Sequence, residues 1–186
     1  MSKIRNAVFL TVLFCVGCGV RAPESAGAKL TPDHSVGTTA PPFKAATMDG
    51  TPVNFPADYK GKLVMLDFWA TWCDPCMAAA PAIVKVYNDA HPRGLEILGI
   101  SLDKPDGAAK IREVTAEKGM TWPQVYDGKG WEGQVVALYG VEAIPAAYLI
   151  DGDTGEILAT GDSLHGDKLA RTVEDALAKK DKKRLN

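Results

Sequence analysis

An almost unbroken apolar run, Leu63–Trp69, is followed after a short interval by residues 75–90, whose composition is helical. A continuous apolar run is typical of a strand covered on both faces, as in a mixed or parallel sheet flanked by helices. Cys73 and Cys76 lie between the two segments, separated by two residues. The order therefore predicts a pair of cysteines at the N-terminus of a helix that follows a buried strand.

Two cysteines in this position favour thiol–disulfide exchange. The free backbone N–H groups and the positive end of the helix dipole stabilise a thiolate, which is the reactive form of cysteine. Cys73 lies at the helix end and is predicted to be the nucleophile and the more exposed of the pair. Cys76 lies one helical turn deeper. It is predicted to resolve the mixed disulfide by attacking the Cys73 sulfur, which leaves a Cys73–Cys76 disulfide.

Composition argues against several other functions. The net charge is only -2, so no basic excess indicates nucleic acid binding. A structural zinc site needs four ligands. The chain has no second Cys-x-x-Cys motif, and His34, His91 and His165 are scattered. We therefore predict no metal and no cofactor.

The N-terminus has the pattern of an export signal. Lys3 and Arg5 precede the apolar residues 7–17, a stretch too short to span a bilayer, which takes about 20 residues. The stretch ends in a sequence that resembles a bacterial lipoprotein cleavage box, with Cys15 where leucine is usual. We predict cleavage before Cys18 and lipidation of Cys18. Simple secretion, with Cys18 incidental, remains the alternative.

Asp67 is the one charged residue inside the apolar run, and it precedes Cys73 by six residues. Its carboxyl is predicted to lie at the end of the strand, under the dithiol. Desolvation there raises the pKa of a carboxyl group. The alternative is that the sheet tolerates Asp67 near water.

The rest of the chain alternates between strand and helix patterns. The domain boundaries we predict are a signal peptide at 1–17, a flexible tether at 18–37, a folded domain at 38–180 and a basic tail at 181–186. The predicted elements are short strands around the turn 48–51, a strand at 95–102, a helix at 106–118 capped by Asp106, a short strand at 123–126, a short helix at 131–139, a hairpin of 146–150 and 156–160, and a helix at 167–178 followed by a solvated basic end at 179–184.

Three motifs support a family resemblance: residues 68–76, residues 99–103, and residues 141–145 followed by 148–151. In this order they resemble the thioredoxin fold, and more narrowly the membrane-tethered thioredoxin-like proteins of the ResA/TlpA type. The resemblance covers about residues 38–180. It implies an α/β protein with a thioredoxin-like fold, in which helices flank a central mixed sheet, preceded by an N-terminal extension.

The resemblance also implies roles for individual residues. Asp67 matches the buried aspartate of thioredoxins and would be the general base for Cys76. Pro145 would be a cis proline opposite the dithiol, and the backbone of Ile144 would pair with a bound peptide. ResA-type relatives tend to carry a glutamate three residues after the second cysteine, where this chain has Ala79. That departure leaves the acid–base role to Asp67.

Three further residues belong to the motif itself. Trp72 is interpreted as part of an apolar docking surface. Asp74 and Pro75 tune the pair, because a carboxylate beside the thiols opposes thiolate formation, which makes the protein a reductant. The alternative for Asp74 is that it only caps the helix. Trp122 and Trp131 lie in the Gly-rich residues 119–133, which we interpret as a loop near the site, and we assign no function to either indole.

These observations predict an exported, lipid-tethered thiol–disulfide oxidoreductase of the cell envelope. It would pass two electrons from a membrane-bound donor to protein disulfides, and the resemblance suggests a part in cytochrome c maturation. One alternative is a non-catalytic copper-binding or redox-sensing module, with His165 as the added ligand. A less favoured one is a peroxide reductase, which would need proline and threonine where this chain has Leu66 and Ala70.

Overall fold

A computed structural model describes residues 34–185. The predicted signal peptide, the lipidation site Cys18 and most of the predicted tether lie outside the described residues. Among residues 34–185, none of the helices has the length and apolar character that crossing a membrane requires.

A five-stranded mixed sheet forms the centre of the fold. The strands are β1 (Phe43–Ala46), β2 (Pro52–Phe55), β3 (Leu63–Trp69), β4 (Leu95–Ser101), β5 (Gln124–Val125), β6 (Ala146–Asp151) and β7 (Ile157–Thr160). The sheet order is β5-β4-β3-β6-β7, and β1 pairs with β2 in a separate antiparallel hairpin. Strand β3 is parallel to β4 and antiparallel to β6. Every residue of β3 is buried, as the continuous apolar run predicts.

Among the described residues, four α-helices accompany the sheet. They are α1 (Asp74–Ala90), α2 (Ala108–Lys118), α3 (Gln134–Leu138) and α4 (Asp167–Leu185). The predicted cap of α2 was wrong, because the N-cap is Gly107 and Asp106 precedes it. The predicted helix at 131–139 is divided into a 3-10 turn, Gly130–Glu132, and α3. The predicted α/β fold with a central mixed sheet and flanking helices is confirmed.

Within the described residues, the segment from His34 to Thr38, which precedes or meets the predicted boundary at 38, already contacts the folded domain. The His34 ring stacks on Tyr139 with ring centroids 5.3 Å apart. Gly37 then donates from its backbone N–H to the carbonyl of Ile157, and Ile157 donates to the carbonyl of Thr38. Residues 37 and 38 therefore lie along the edge strand β7.

The predicted basic segment at 179–184 is exposed except for Lys180. Helix α4 continues to Leu185, and Lys180 within it is buried. The Lys180 ammonium donates to one carboxylate oxygen of Asp151 and one of Asp153, each at 2.6 Å. This network ties α4 to the turn between β6 and β7, because a buried ammonium requires charged or polar partners.

Candidate active site

The dithiol lies where β3 passes into α1. The Trp69 carbonyl at the end of β3 accepts from the backbone N–H of Leu102 at 2.8 Å, which fixes the end of the strand. Cys73 is the N-cap of α1, and its Sγ accepts from the backbone N–H of Cys76 at 3.2 Å. Pro75 lies in the first turn, where its missing N–H leaves no unsatisfied donor. The predicted cysteines at a helix N-terminus are therefore present.

The structure is the oxidised form. Cys73 and Cys76 form a disulfide with an S–S distance of 2.05 Å and a Cα–Cα distance of 5.2 Å. Each cysteine is 4% exposed, so the expected greater exposure of Cys73 is wrong for this form. The disulfide buries both sulfurs at the start of the helix, and the neighbouring Trp72 is 53% exposed.

Asp74 lies exposed in the first turn of α1. It does not cap the helix, because the N-cap is Cys73 and the Cys73 sulfur is the acceptor. The alternative interpretation of Asp74 as the helix cap was therefore wrong. Its carboxylate lies beside the two sulfurs in the chain, at the end of the helix where negative charge is stabilised.

Asp67 is buried in β3, with 3% of its surface exposed. Burial raises the pKa of this carboxyl to about 7, because desolvation disfavours the charged form. The alternative of an Asp67 tolerated near water is wrong. At neutral pH this carboxyl is close to half ionised, so it can both accept and release a proton.

A small cavity lies between Asp67 and Cys76. Its volume is about 10 Å³, which is close to the space that one water molecule needs. Its lining residues are Asp67, Trp69, Cys76, Met77, Ala79, Ala80, Ile83, Met120 and Pro145. The carboxyl that β3 supplies and the deeper cysteine of α1 therefore face one enclosed space.

Two more residues from the sequence analysis line the same cavity. The Ile144–Pro145 peptide is cis, as the resemblance implied, and Pro145 contributes to the wall. Ala79 is also in the wall. The position at which ResA-type relatives tend to carry a glutamate thus faces Asp67 and Cys76, and a methyl group occupies it here.

Sequence reasoning missed the residue that holds the turn before Cys73. Asp103, which follows β4, is 3% exposed. Its carboxylate accepts from the Thr71 backbone N–H at 3.1 Å and from the Thr71 hydroxyl at 2.6 Å. It also accepts from the Ser101 hydroxyl at 2.8 Å. Because Thr71 lies two residues before Cys73, this carboxylate fixes the turn that carries the nucleophile. The sequence placed Asp103 after a predicted strand and within the motif at residues 99–103, but neither signal predicted its contact with Thr71.

A second missed contact spans the sheet. The Gln124 amide oxygen accepts from the Trp69 indole N–H at 2.9 Å, and its amide nitrogen donates to the Trp122 carbonyl at 3.2 Å. The Gln124 side chain occupies the space where a Cβ of Gly99 would lie. Asp67, Gly99 and Gln124 are in register on β3, β4 and β5. Gly99 is therefore the residue that lets Gln124 reach Trp69 beside the cavity.

The residues that could bind a metal are dispersed in the described part of the chain. Among the described residues, the side chains of His, Cys, Asp and Glu form no group of three or more that could hold a metal ion. His165, the ligand considered for a copper module, is the C-cap of a 3-10 turn, Gly161–Leu164, outside the dithiol region of the chain.

A buried strand, a disulfide at the N-cap of the next helix, a buried carboxyl under it and a cis proline beside it define a thioredoxin-like thiol–disulfide oxidoreductase. Comparison with known proteins identifies the family to which the chain belongs. The chain belongs to the AhpC/TSA family, whose model matches residues 36–159.

Relatives and solved structures agree with this class. The thiol-disulfide oxidoreductase ResA of Bacillus thuringiensis subsp. konkukian is 28% identical over 95% of this chain and 98% of its own length. ResA of Bacillus cereus is 31% identical, over 77% of this chain and 78% of its own length. The thioredoxin domain of a thiol-disulfide oxidoreductase from Bacteroides vulgatus has a TM-score of 0.67 and 31% identity, over 78% of this chain and 99% of that chain. The protein is therefore a thiol–disulfide oxidoreductase, as predicted.

Proposed function

We propose that this protein reduces protein disulfides in the cell envelope through Cys73 and Cys76, with Asp67 as the acid–base group for Cys76. The cavity shared by Asp67 and Cys76 is the observation that carries the proposal. A carboxyl with a pKa of about 7 is matched to a thiol proton near neutral pH, where a general base is most effective.

The first step of the proposed reaction forms a mixed disulfide. The Cys73 thiolate attacks one sulfur of the substrate disulfide, a new Cys73–substrate bond forms, and the other substrate sulfur leaves as a thiolate. The Cys76 backbone N–H, which donates to Cys73 Sγ in the oxidised form, would stabilise the attacking thiolate. The N-terminal end of α1 adds the positive end of its dipole.

The second step releases the substrate. Asp67 takes the proton from the Cys76 thiol, and the resulting thiolate attacks Cys73 Sγ. The Cys73–substrate bond breaks, the second substrate thiolate leaves, and the Cys73–Cys76 disulfide of this structure forms. Two electrons have then passed from the protein to the substrate, and a membrane-bound dithiol donor must restore the reduced form.

The reducing direction rests on Asp74. A carboxylate beside the thiols makes their ionised form less favourable and the dithiol a better electron donor. The proposed setting, with Cys18 lipidated and the domain tethered to a membrane of the envelope, rests on the N-terminal sequence pattern. Apocytochrome c and other envelope proteins are the proposed targets, because the motifs resemble those of ResA/TlpA-type proteins.

Peroxide reduction is not favoured. A peroxidatic cysteine would need proline and threonine at the positions of Leu66 and Ala70, and both of these residues are fully buried. The aliphatic side chains of leucine and alanine offer no hydrogen-bonding group to a peroxide.

Rapid-mixing kinetics test the role of Asp67. With reduced protein and a peptide disulfide, the resolving step of the wild type should rise with pH through an inflection near 7. Asp67→Asn should lose the inflection and slow this step by about a hundredfold. Asp74→Asn is the matched control, since this carboxylate is exposed, and it should keep the inflection. An unchanged profile in Asp67→Asn would contradict the acid–base assignment.

Trapping identifies substrates and direction. Cys76→Ser leaves the mixed disulfide unresolved, so envelope proteins that react should remain bound to Cys73 until a reductant releases them. The absence of any trapped protein would count against protein disulfides as substrates. If iodoacetamide alkylated Cys73 no faster than it alkylates glutathione at pH 7, the thiolate mechanism itself would fail.

A further inference from the structure

Two tryptophans lie side by side and exposed next to the nucleophilic cysteine. Among residues 34–185, four large apolar side chains are exposed: Val36, Trp72, Trp131 and Leu185. Trp72 is 53% exposed and Trp131 is 44% exposed. Their ring centroids are 6.3 Å apart, with the ring planes inclined at 53°. Exposed apolar side chains are ordinary when they are scattered, but neighbouring ones beside a reactive group indicate a binding surface.

The two indoles line a cleft of about 510 Å³. This volume is within the range of protein sites that enclose small ligands. The cleft is lined by Thr71, Trp72, Leu102, Asp103, Lys104, Asp106, Gly107, Lys110, Gly130 and Trp131. Apart from Trp72 and Thr71, these residues come from the segment after β4, the start of α2 and the 3-10 turn before α3.

The wall that carries Trp131 is fixed by its own contacts. Gly130 has a φ of 58°, and a Cβ there would lie 3.4 Å from the Leu102 carbonyl oxygen. Glycine therefore lets this turn lie against the end of β4. The Asp127 carboxylate accepts from the backbone N–H groups of Lys129 at 2.9 Å and Gln134 at 3.0 Å. Trp131 is thus held in place by the packing of Gly130 on one side and by the Asp127 hydrogen bonds that flank the turn.

The opposite wall is also held in place. The Tyr126 hydroxyl donates to the Lys104 carbonyl and accepts from the Gly107 backbone N–H. These bonds fix the turn between β4 and α2. A cleft whose walls are preformed binds a partner with little loss of conformational entropy.

We propose that this cleft, named here the Trp72–Trp131 cleft, binds an aromatic or large aliphatic side chain of the substrate polypeptide, close in sequence to the substrate cysteine. We assign a side chain of the substrate as the occupant because the cleft adjoins the dithiol through Trp72. Because Trp72 is covalently adjacent to Cys73, a substrate sulfur that bonds to Cys73 brings its neighbouring residues within reach of the exposed Trp72. An aromatic side chain packs against the edge and face of two inclined indoles.

A second copy of this chain fits the cleft less well. A stable protein interface takes about 800 Å² from each partner, and two half-exposed indoles supply only a small part of such an area. A short segment held covalently at Cys73 needs no large surface, since the disulfide already keeps it in place. This inference rests on the proposed function and adds the class of substrate that the site prefers.

Paired peptides test the cleft. Each peptide carries one cysteine as a mixed disulfide with glutathione, and the pairs differ only in Phe or Ser at one of the three positions on either side of the cysteine. For at least one position, the wild type should have a kcat/KM about tenfold higher for the Phe peptide. Trp131→Ala should bring the ratio of the two values close to one, and Trp131→Phe should keep most of the preference.

Val36→Ala is the control, because it shortens another exposed apolar side chain, one that lines a different surface formed with α4 and β7. It should leave the ratio unchanged. The cleft proposal is overturned if the wild type shows no preference for Phe at any position, or if Trp131→Ala keeps the wild-type ratio. Failure of the proposed function looks different, since the wild type would then reduce neither peptide of any pair.

Discussion

Replacement of Asp67 by asparagine should change how stability depends on pH. The carboxyl is fully buried in the folded protein, and burial raises its pKa from 3.8 to about 7. Well below the ordinary pKa of 3.8 the carboxyl is neutral in both the folded and the unfolded chain, so its ionisation does not affect stability there. Between pH 4 and pH 7 the unfolded chain ionises while the folded protein keeps its proton, and the folded state loses relative stability as pH rises.

The size of the effect follows from the shift. A pKa raised by about three units corresponds to about 4 kcal/mol of destabilisation that is fully developed above pH 7. Asparagine does not ionise, so Asp67→Asn avoids this loss. The free energy of unfolding of the variant, measured relative to the wild type, should therefore rise by about 4 kcal/mol between pH 4 and pH 8.

Urea denaturation of the oxidised proteins at several pH values measures this difference. In the oxidised form Cys73 and Cys76 do not titrate, and other titrating groups are shared by both proteins. Burying the asparagine amide changes the free energy of unfolding by the same amount at every pH. It therefore does not alter how the difference between the two proteins depends on pH. A flat difference between Asp67→Asn and the wild type across this pH range would refute the assignment of a raised pKa.

Three further substitutions probe contacts around the site and the fold. Asp103→Ala should lower the free energy of unfolding by about 2 kcal/mol, because the Thr71 N–H loses a charged acceptor; urea denaturation measures the loss, and an unchanged midpoint would contradict it. Lys180→Ala should lower the free energy of unfolding by about 3 kcal/mol, since it leaves two carboxylates without their buried ammonium. A decrease no larger than the roughly 0.5 kcal/mol of an ordinary surface substitution would argue against the network. Gly99→Ala should displace Gln124 and cost about 1–3 kcal/mol, with a change in near-UV circular dichroism from the released indole; an unchanged spectrum would be evidence against this contact.

The strand–dithiol–helix unit was predictable because each of its signals is local. Residues 63–69 form a strand with the predicted bounds, and the predicted helix at 75–90 begins only one residue earlier. An uninterrupted apolar run of this length is most simply accommodated by a strand that is buried on both faces of the sheet. A charged residue inside that run must then lose its water, which is why the raised pKa of Asp67 could be expected from the sequence.

Predictions were weaker where local preference competes with contacts made elsewhere. Lys180 belongs to a run of charged residues that favours a solvated end, yet two aspartates from a distant turn pair with it and bury it. Asp106 has a side chain suited to a helix cap, but the α2 N-cap is Gly107. A Cβ at Gly107 would lie 2.6 Å from Asp103 Cβ, so close packing against Asp103 explains the glycine at the start of this helix.

The sequence by itself determined the reactive unit: a buried strand, a carboxyl within it, and two cysteines at the next helix end. These features depend on neighbours in the chain, so burial and the helix dipole follow from the pattern alone. Only the tertiary structure decided what surrounds them. Gln124 reaches Trp69 across 55 positions of sequence, and Asp103 reaches Thr71 across 32. Such contacts depend on the register of three strands, which no local sequence pattern specifies. The same register brings these distant residues together around the dithiol.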